Sequence, residues 1–169
     1  MNIQGRARVF GDDVNTDYII SSRRKRDTID ESRLKDYLFE GVDPSFAASV
    51  RPDDIIVAGS NFGCGSAMEV AVTVLQAAGI RAVLARTFAR SFYRNSINNG
   101  LVAIECDTAS IVERDRVVIE QDGPALRVRV LERSLVLTAA PLPPLMRRIL
   151  ASGGLVEFLK REGNFESAS

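Results

Sequence analysis

Apolar residues fall into short runs separated by glycines and charged turns, and the runs between residues 53 and 105 set the pattern for the chain. Asp54 to Ala58 carries Ile-Ile-Val-Ala, too short for a helix and apolar on both faces, which predicts a buried strand. Three glycines then fall within seven residues, Gly59, Gly63 and Gly65, with Asn61 and Cys64 among them. Such a loop permits positive φ and close backbone approach. Ser66 with Glu69 three residues on is the capping-box pattern, and it predicts a helix from Ser66 to about Ala78 that is apolar on most sides. Gly79 stops that helix, and Arg81 to Ala85 predicts a second buried strand. Phe88 to Asn99 reads as a helix with Phe88, Phe92 and Ile97 inward, Gly100 as its C′ residue, and Leu101 to Glu105 as a third strand. The expectation is an α/β fold around a parallel βαβαβ unit.

The flanks are less regular. Gly5 to Gly11 alternates apolar and polar and predicts an early strand, followed by a polar turn from Asp12 to Asp17 and an extended piece at Tyr18, Ile19 and Ile20. Glu31 to Glu40 has helical spacing in Leu34, Tyr37 and Leu38, and Pro44 to Val50 suggests a second short helix. After Asp107, the segments 116–120, 125–131 and 134–138 are short alternating strands with turn residues between, which predicts an antiparallel meander. Pro141 to Pro144 breaks the chain. Leu145 to Arg161 is helical but weakened at Ser152-Gly153-Gly154, and 162–169 is expected to fray. No boundary or repeat interrupts the chain, so 1–169 is expected to form one domain.

Composition narrows the chemistry. With 22 basic and 22 acidic residues the net charge is zero, which argues against nucleic-acid and anionic-membrane binding. No apolar run approaches the roughly 18 residues of a membrane span, and no signal-like segment opens the chain, so a cytoplasmic location is expected. Histidine is absent, which removes His-based triads and the commonest general base. Two cysteines, Cys64 and Cys106, are too few for a disulfide framework or for the usual ligand set of an iron–sulfur cluster.

Ligands in such sheets bind beyond the carboxyl ends of the strands, where Gly59 to Ser66 and Arg86 to Arg90 both fall. The glycine loop is neither G-x-G-x-x-G nor a P-loop, and Ser66 is not in a nucleophile elbow. Cys64 reads either as a thiol activated beside a helix N-terminus or as a small residue filling the loop. Four consecutive bases, Arg23, Arg24, Lys25 and Arg26, read either as a solvated surface turn or as a loop that delivers guanidinium groups to carboxylates. Arg90 and Arg94 are open between ligand contact and plain helix surface.

Three stretches together resemble a known family. Asn61-Phe62-Gly63-Cys64-Gly65-Ser66 is similar to the active-site loop of the small subunit of 3-isopropylmalate dehydratase, the swivel domain of the aconitase superfamily. Asn15-Thr16-Asp17 followed by Ile19-Ile20, and Thr87 to Asn95 (T-F-A-R-S-F-Y-R-N), resemble two further motifs of that family in the same order. The likeness covers roughly residues 5 to 107. It implies a β/β/α swivelling domain, the C-terminal strands and helix about 115–162 completing it. It also implies a separate large subunit carrying a [4Fe-4S] cluster, none of it bound by this chain. The implied reaction is dehydration and rehydration of a hydroxy dicarboxylic acid, as in leucine biosynthesis. Ser66 matches the family's general base, and Asp17 a carboxylate at the catalytic interface. Arg23 matches an arginine of the substrate loop, with Arg24 and Arg26 beside it, and Gly65 and Ala67 fall at substrate-lining positions.

The chain departs from the family at two places. Ala67 and Met68 stand where the family usually has serine and arginine, and Arg24-Lys25 stands where isopropylmalate enzymes commonly have an apolar pair. Either the carboxylate clamp has moved from the helix start to the basic loop, or the substrate is a related acid, such as a homoaconitate-like or methyl-substituted malate. A regulatory swivel module without chemistry is the further alternative.

Overall fold

The structure, a computed structural model, describes residues 1–123 and 125–163, with the backbone only at Asp122. One seven-stranded mixed sheet organises it, in the order β4-β3-β2-β1-β5-β6-β7. The strands are β1 (Asn2–Val9), β2 (Ile55–Ala58), β3 (Ala82–Ala85), β4 (Val102–Glu105), β5 (Arg116–Asp122), β6 (Ala125–Val130) and β7 (Leu135–Ala139). From β4 to β1 the pairing is parallel, and from β1 to β7 antiparallel. The sheet curls, because the Ala140 N–H beyond β7 donates to the Glu105 carbonyl at the end of β4 (3.0 Å).

The central strands β2 and β3 are buried at every position, as parallel strands covered on both faces must be. Their alternate residues serve two cores. Ile56 and Ala58 join Val83 in a core under α5 (Val70–Ala77), while Ile55 and Val57 join Leu84 in the core enclosed by β5, β6 and β7. β6 alternates exposed and buried along its length, the mark of a strand with one wet face. Between β3 and β4 runs α6 (Arg90–Asn98), and α7 (Pro144–Ala151) and α8 (Leu155–Glu162) pack against it through Ile97, Ile149 and Phe158. The split between α7 and α8 falls at Ser152-Gly153-Gly154, where the sequence weakens the helix. Asp54 is 3% exposed, accepts from Arg6 (2.7 Å) and Arg8 (3.4 Å), and so ties β1 to the start of β2. The turn at Pro124 and the expected fraying over 164–169 lie outside the described residues.

Three expectations are corrected. Of the piece expected to be extended, Tyr18 and Ile19 are helical and only Ile20 is extended, since Thr16–Ile19 forms a helical turn, α1, capped by Asn15, whose side-chain oxygen accepts from the Asp17 N–H at 2.9 Å. The basic stretch is neither an open turn nor an irregular loop. It is a short helix, α2 (Ser22–Asp27), capped by Ser21 and without a buried residue. Glu31 to Glu40 does not continue as one helix: α3 (Glu31–Leu34) passes into a 3-10 turn over Lys35–Tyr37, and the chain leaves the helical path at Leu38. Leu34 and Leu38 are nonetheless both fully buried, as their spacing predicted. The short helix α4 (Phe46–Ser49) lies within the predicted 44–50.

Candidate active site

The three motif-bearing stretches meet in space because the glycine loop behaves as a short strand between the other two. On one side Asp13 N–H donates to the Ser60 carbonyl, Gly63 N–H to Val14 and Thr16 N–H to Cys64, each at 2.8 Å. On the other side Phe62 N–H donates to Thr87 (3.0 Å) and Ala89 N–H to Phe62 (2.9 Å). All of this lies beyond the carboxyl ends of β2 and β3, where the topology places a ligand. Side chains lock the arrangement. Asn61 donates from Nδ2 to Asp13 (2.8 Å), and its own N–H reaches Thr87 Oγ1 (2.8 Å). Asp12 accepts from the Ser60 N–H and from Arg86, both at 2.6 Å. Those two donors, the Ser60 amide first, hold the Asp12 carboxyl below its usual range.

Two glycines are required by the packing. Gly63 has φ +79°, and a Cβ there would lie 2.2 Å from the Phe92 ring. Gly65 has φ +91°, and a Cβ there would fall 2.4 Å from the Asn15 side-chain oxygen. Phe62, fully buried, packs edge-on against Phe92 with ring centroids 5.0 Å apart.

This pairing overrides the local helix signal. The helix does not begin at Ser66. α5 begins at Val70, Glu69 sits at its N-cap position, and no side chain caps it. The Ser66 carbonyl instead accepts from Thr16 Oγ1 (2.9 Å), a residue 1% exposed, so the segment after Gly65 is held out along α1. Ser66 and Ala67 are exposed. The N–H groups of Gly65, Ser66 and Ala67 have no hydrogen-bond partner among the described residues. A row of free backbone donors beside a hydroxyl is suited to hold an oxyanion.

The remaining candidates separate. Asp17 accepts from the Ser22 N–H (3.2 Å) and hydroxyl (2.5 Å), so its carboxylate joins α1 to the start of α2. Arg23 and Arg26 are exposed on α2, three residues apart, and neither forms an ion pair among the described residues. Arg24 differs from them: it grips Glu40 with two parallel bonds (2.9 and 2.8 Å) and its guanidinium lies 3.8 Å over the Tyr37 ring. Arg24 therefore fastens α2 to the body of the fold and lowers the Glu40 carboxyl. Lys25 reaches across to the Met68 thioether, bringing an ammonium group to the position where the glycine-loop segment turns apolar. Arg90 and Arg94 are exposed along α6.

Cys64 is not activated: burial, then the Asp13 charge, pushes its thiol up. Burial pushes Cys106 to about 12. Two separate, protonated thiols do not fit an iron–sulfur cluster, and among the described residues no group of three or more His, Cys, Asp or Glu side chains converges on a metal-sized site. Sequence reasoning missed Thr16 as the anchor of Ser66 and Asp12–Arg86 as a brace. Both pairs are far apart in the chain, and only the fold joins them.

Comparison with known proteins agrees with this geometry. The Aconitase C-terminal domain family matches residues 23–109, so the chain is of the aconitase C-terminal class. A 3-isopropylmalate dehydratase small subunit 1 from Methanopyrus kandleri is 50% identical over 161 residues, covering 95% of this chain and 94% of that protein. The methanogen homoaconitase small subunit of Methanocaldococcus jannaschii is 42% identical over 167 residues, covering 99% and 96%. A crystal structure of 3-isopropylmalate dehydratase from that organism superposes with a TM-score of 0.91 at 42% identity, covering 99% of this chain and 98% of that one. The chain belongs to the small-subunit family of the 3-isopropylmalate dehydratase type, hydro-lyases of the aconitase superfamily. No helix of the described residues is long and apolar enough to cross a membrane.

Proposed function

We propose that this chain is the small subunit of a heteromeric hydro-lyase that isomerises a hydroxy dicarboxylic acid by dehydration and rehydration, 3-isopropylmalate being the reference substrate. The observation that carries the reading is Ser66, exposed at the end of the hydrogen-bonded loop assembly and flanked by N–H groups that have no partner among the described residues. A serine hydroxyl is far from ionising at neutral pH, so its use as a base requires stabilisation of the alkoxide, and the Gly65, Ser66 and Ala67 amides supply donors for it. Asp17, next to the Thr16 that holds Ser66, is the carboxylate to face the partner's catalytic groups. Arg23 and Arg26, without an ion pair among the described residues, provide guanidinium groups for the substrate carboxylates. The [4Fe-4S] cluster belongs to the large subunit, whose existence the relatives' small-subunit names imply.

A second substrate reading rests on one contact. Lys25 at Met68 puts positive charge where a more acidic substrate, of the homoaconitate kind, would need it, and one relative is named for that activity. The test is anaerobic co-purification with the large subunit and a screen of 3-isopropylmalate, homoaconitate, citraconate and dimethylmalate, following absorbance of the unsaturated acid. Ser66→Ala is expected to abolish turnover while the complex still assembles. Undiminished turnover would remove Ser66 as the base. A stable, cluster-loaded complex inert toward every acid would favour a swivel module without chemistry.

A further inference from the structure

A second cavity opens at the other end of the sheet. It has a volume of about 580 Å³ and lies where β1, β2, β3 and β4 begin, so the length of β2, about 13 Å, separates it from the glycine loop. Nothing in the proposed reaction uses it. Its floor and walls are apolar, formed by Ile3, Ile80, Leu101, Leu142 and Leu150. Its rim is charged: Arg81, Arg147 and Asp53 line it.

The charges select a ligand class. Arg81 meets Asp53 at 3.4 Å with both side chains more than half exposed, a pair weak enough to exchange partners. Arg147 spends one bond, from Nη1 to the Gly123 carbonyl at 3.1 Å, and its other N–H groups have no partner among the described residues. Among the rim side chains, two guanidinium groups against one carboxylate leave a single positive charge. The carboxyl ends of α5, α6 and α7 converge here and present negative dipole ends, which offset part of that positive charge, so a single carboxylate matches the cleft better than a dianion. The volume falls in the range of small-molecule sites. We propose that this cleft is a second binding site, for a monocarboxylate carrying an apolar tail, with the carboxylate between Arg81 and Arg147 and the tail over Ile80, Leu101 and Leu150.

The inference is independent of the catalytic reading, because it is tested by binding to the full chain alone. The probe is 4-methylpentanoate, titrated calorimetrically. Saturable binding is expected with a Kd of about 1 mM, ordinary for a ligand of this size. The corresponding alcohol, 4-methylpentan-1-ol, should bind at least about tenfold more weakly, since it lacks the charge that the guanidinium groups recognise. Arg147→Met should weaken the acid by a similar factor. Ala151→Phe, at an exposed position on the rim, should block the cleft while the melting temperature stays at the parent value. The proposal is overturned if the acid does not saturate, if the alcohol binds equally well, or if Ala151→Phe binds the acid like the parent. The Ala151 variant decides the question even where the Arg147 variant folds poorly.

Discussion

Thr16→Val isolates the contact on which the position of Ser66 depends. The side chain is isosteric and the site is 1% exposed, so the substitution removes one hydroxyl and leaves the packing volume unchanged. What is lost is the 2.9 Å bond to the Ser66 carbonyl. A neutral hydrogen bond contributes about 1 kcal/mol net, and a stranded buried acceptor would cost up to about 3 kcal/mol. Ser66 is exposed, so water can solvate its carbonyl and the loss falls at the lower figure. For a chain of this size, about 1 kcal/mol lowers the melting temperature by about 2–4 °C. Catalysis should suffer more than stability, because a displacement of about 1 Å at a reacting group costs up to about 100-fold. The expected result in the reconstituted complex is a kcat reduced about 10- to 100-fold with KM little changed. Thr16→Ser, which keeps the hydroxyl, should restore most of it. A Thr16→Val enzyme with the lowered melting temperature and parental kcat would refute the anchoring argument.

Gly63→Ala places a methyl group 2.2 Å from Phe92 at a φ of +79°, and it should destabilise the chain by about 3 kcal/mol or more in chemical denaturation. Arg23→Ala should raise KM with the melting temperature unchanged, whereas Arg24→Ala, which releases Glu40 and Tyr37, should lower the melting temperature; the reverse assignment would place the clamp on Arg24. The Asp12 carboxyl is depressed in the folded chain, so its bonds to Ser60 and Arg86 contribute stability that is fully present above the unfolded pKa of about 3.9 and is lost as pH falls through the lower folded value. Acid unfolding curves of the parent and Asp12→Asn should therefore keep a constant separation above about pH 4 and converge as pH falls from there through the depressed folded value; a separation that stays constant to the lowest pH would mean that Asp12 contributes no pH-dependent stability.

The parallel unit was readable from the chain because buried parallel strands are continuous apolar runs, and Ile55 to Ala58 and Ala82 to Ala85 are such runs. The meander was readable because β6 alternates strictly. What misled was local pattern at the site. Ser66 and Glu69 have capping-box spacing, yet the hydrogen bonds that a cap would make are replaced by pairing with residues about fifty positions earlier and about twenty-five later. Likewise Arg23 to Arg26 carried four equal charges in sequence, and only the partners distinguish them: Glu40 takes Arg24, Met68 meets Lys25, and Arg23 and Arg26 remain exposed. Spacing gives which residues share a stretch; it carries no information on which carboxylate a guanidinium finds.

The same accounting explains why the proposed site is incomplete in this chain. An alkoxide on Ser66 needs donors and exclusion of water, and here the donors are present while the water is not excluded: Ser66, Ala67, Arg23 and Arg26 are all exposed. In open solvent the free amides of residues 65–67 are hydrated, and their hold on an oxyanion is weak compared with that in a closed, low-dielectric site. A large subunit that covers this face would remove the water, strengthen each of these interactions, and bring its own groups to Asp17. The rigidity of the loop assembly fits that division. Ser60, Phe62, Gly63, Cys64 and Thr16 are all fixed by backbone bonds within the chain. On the proposed reading, assembly needs only to close the site, with Ser66 already in place, and activity is expected only on mixing the two subunits.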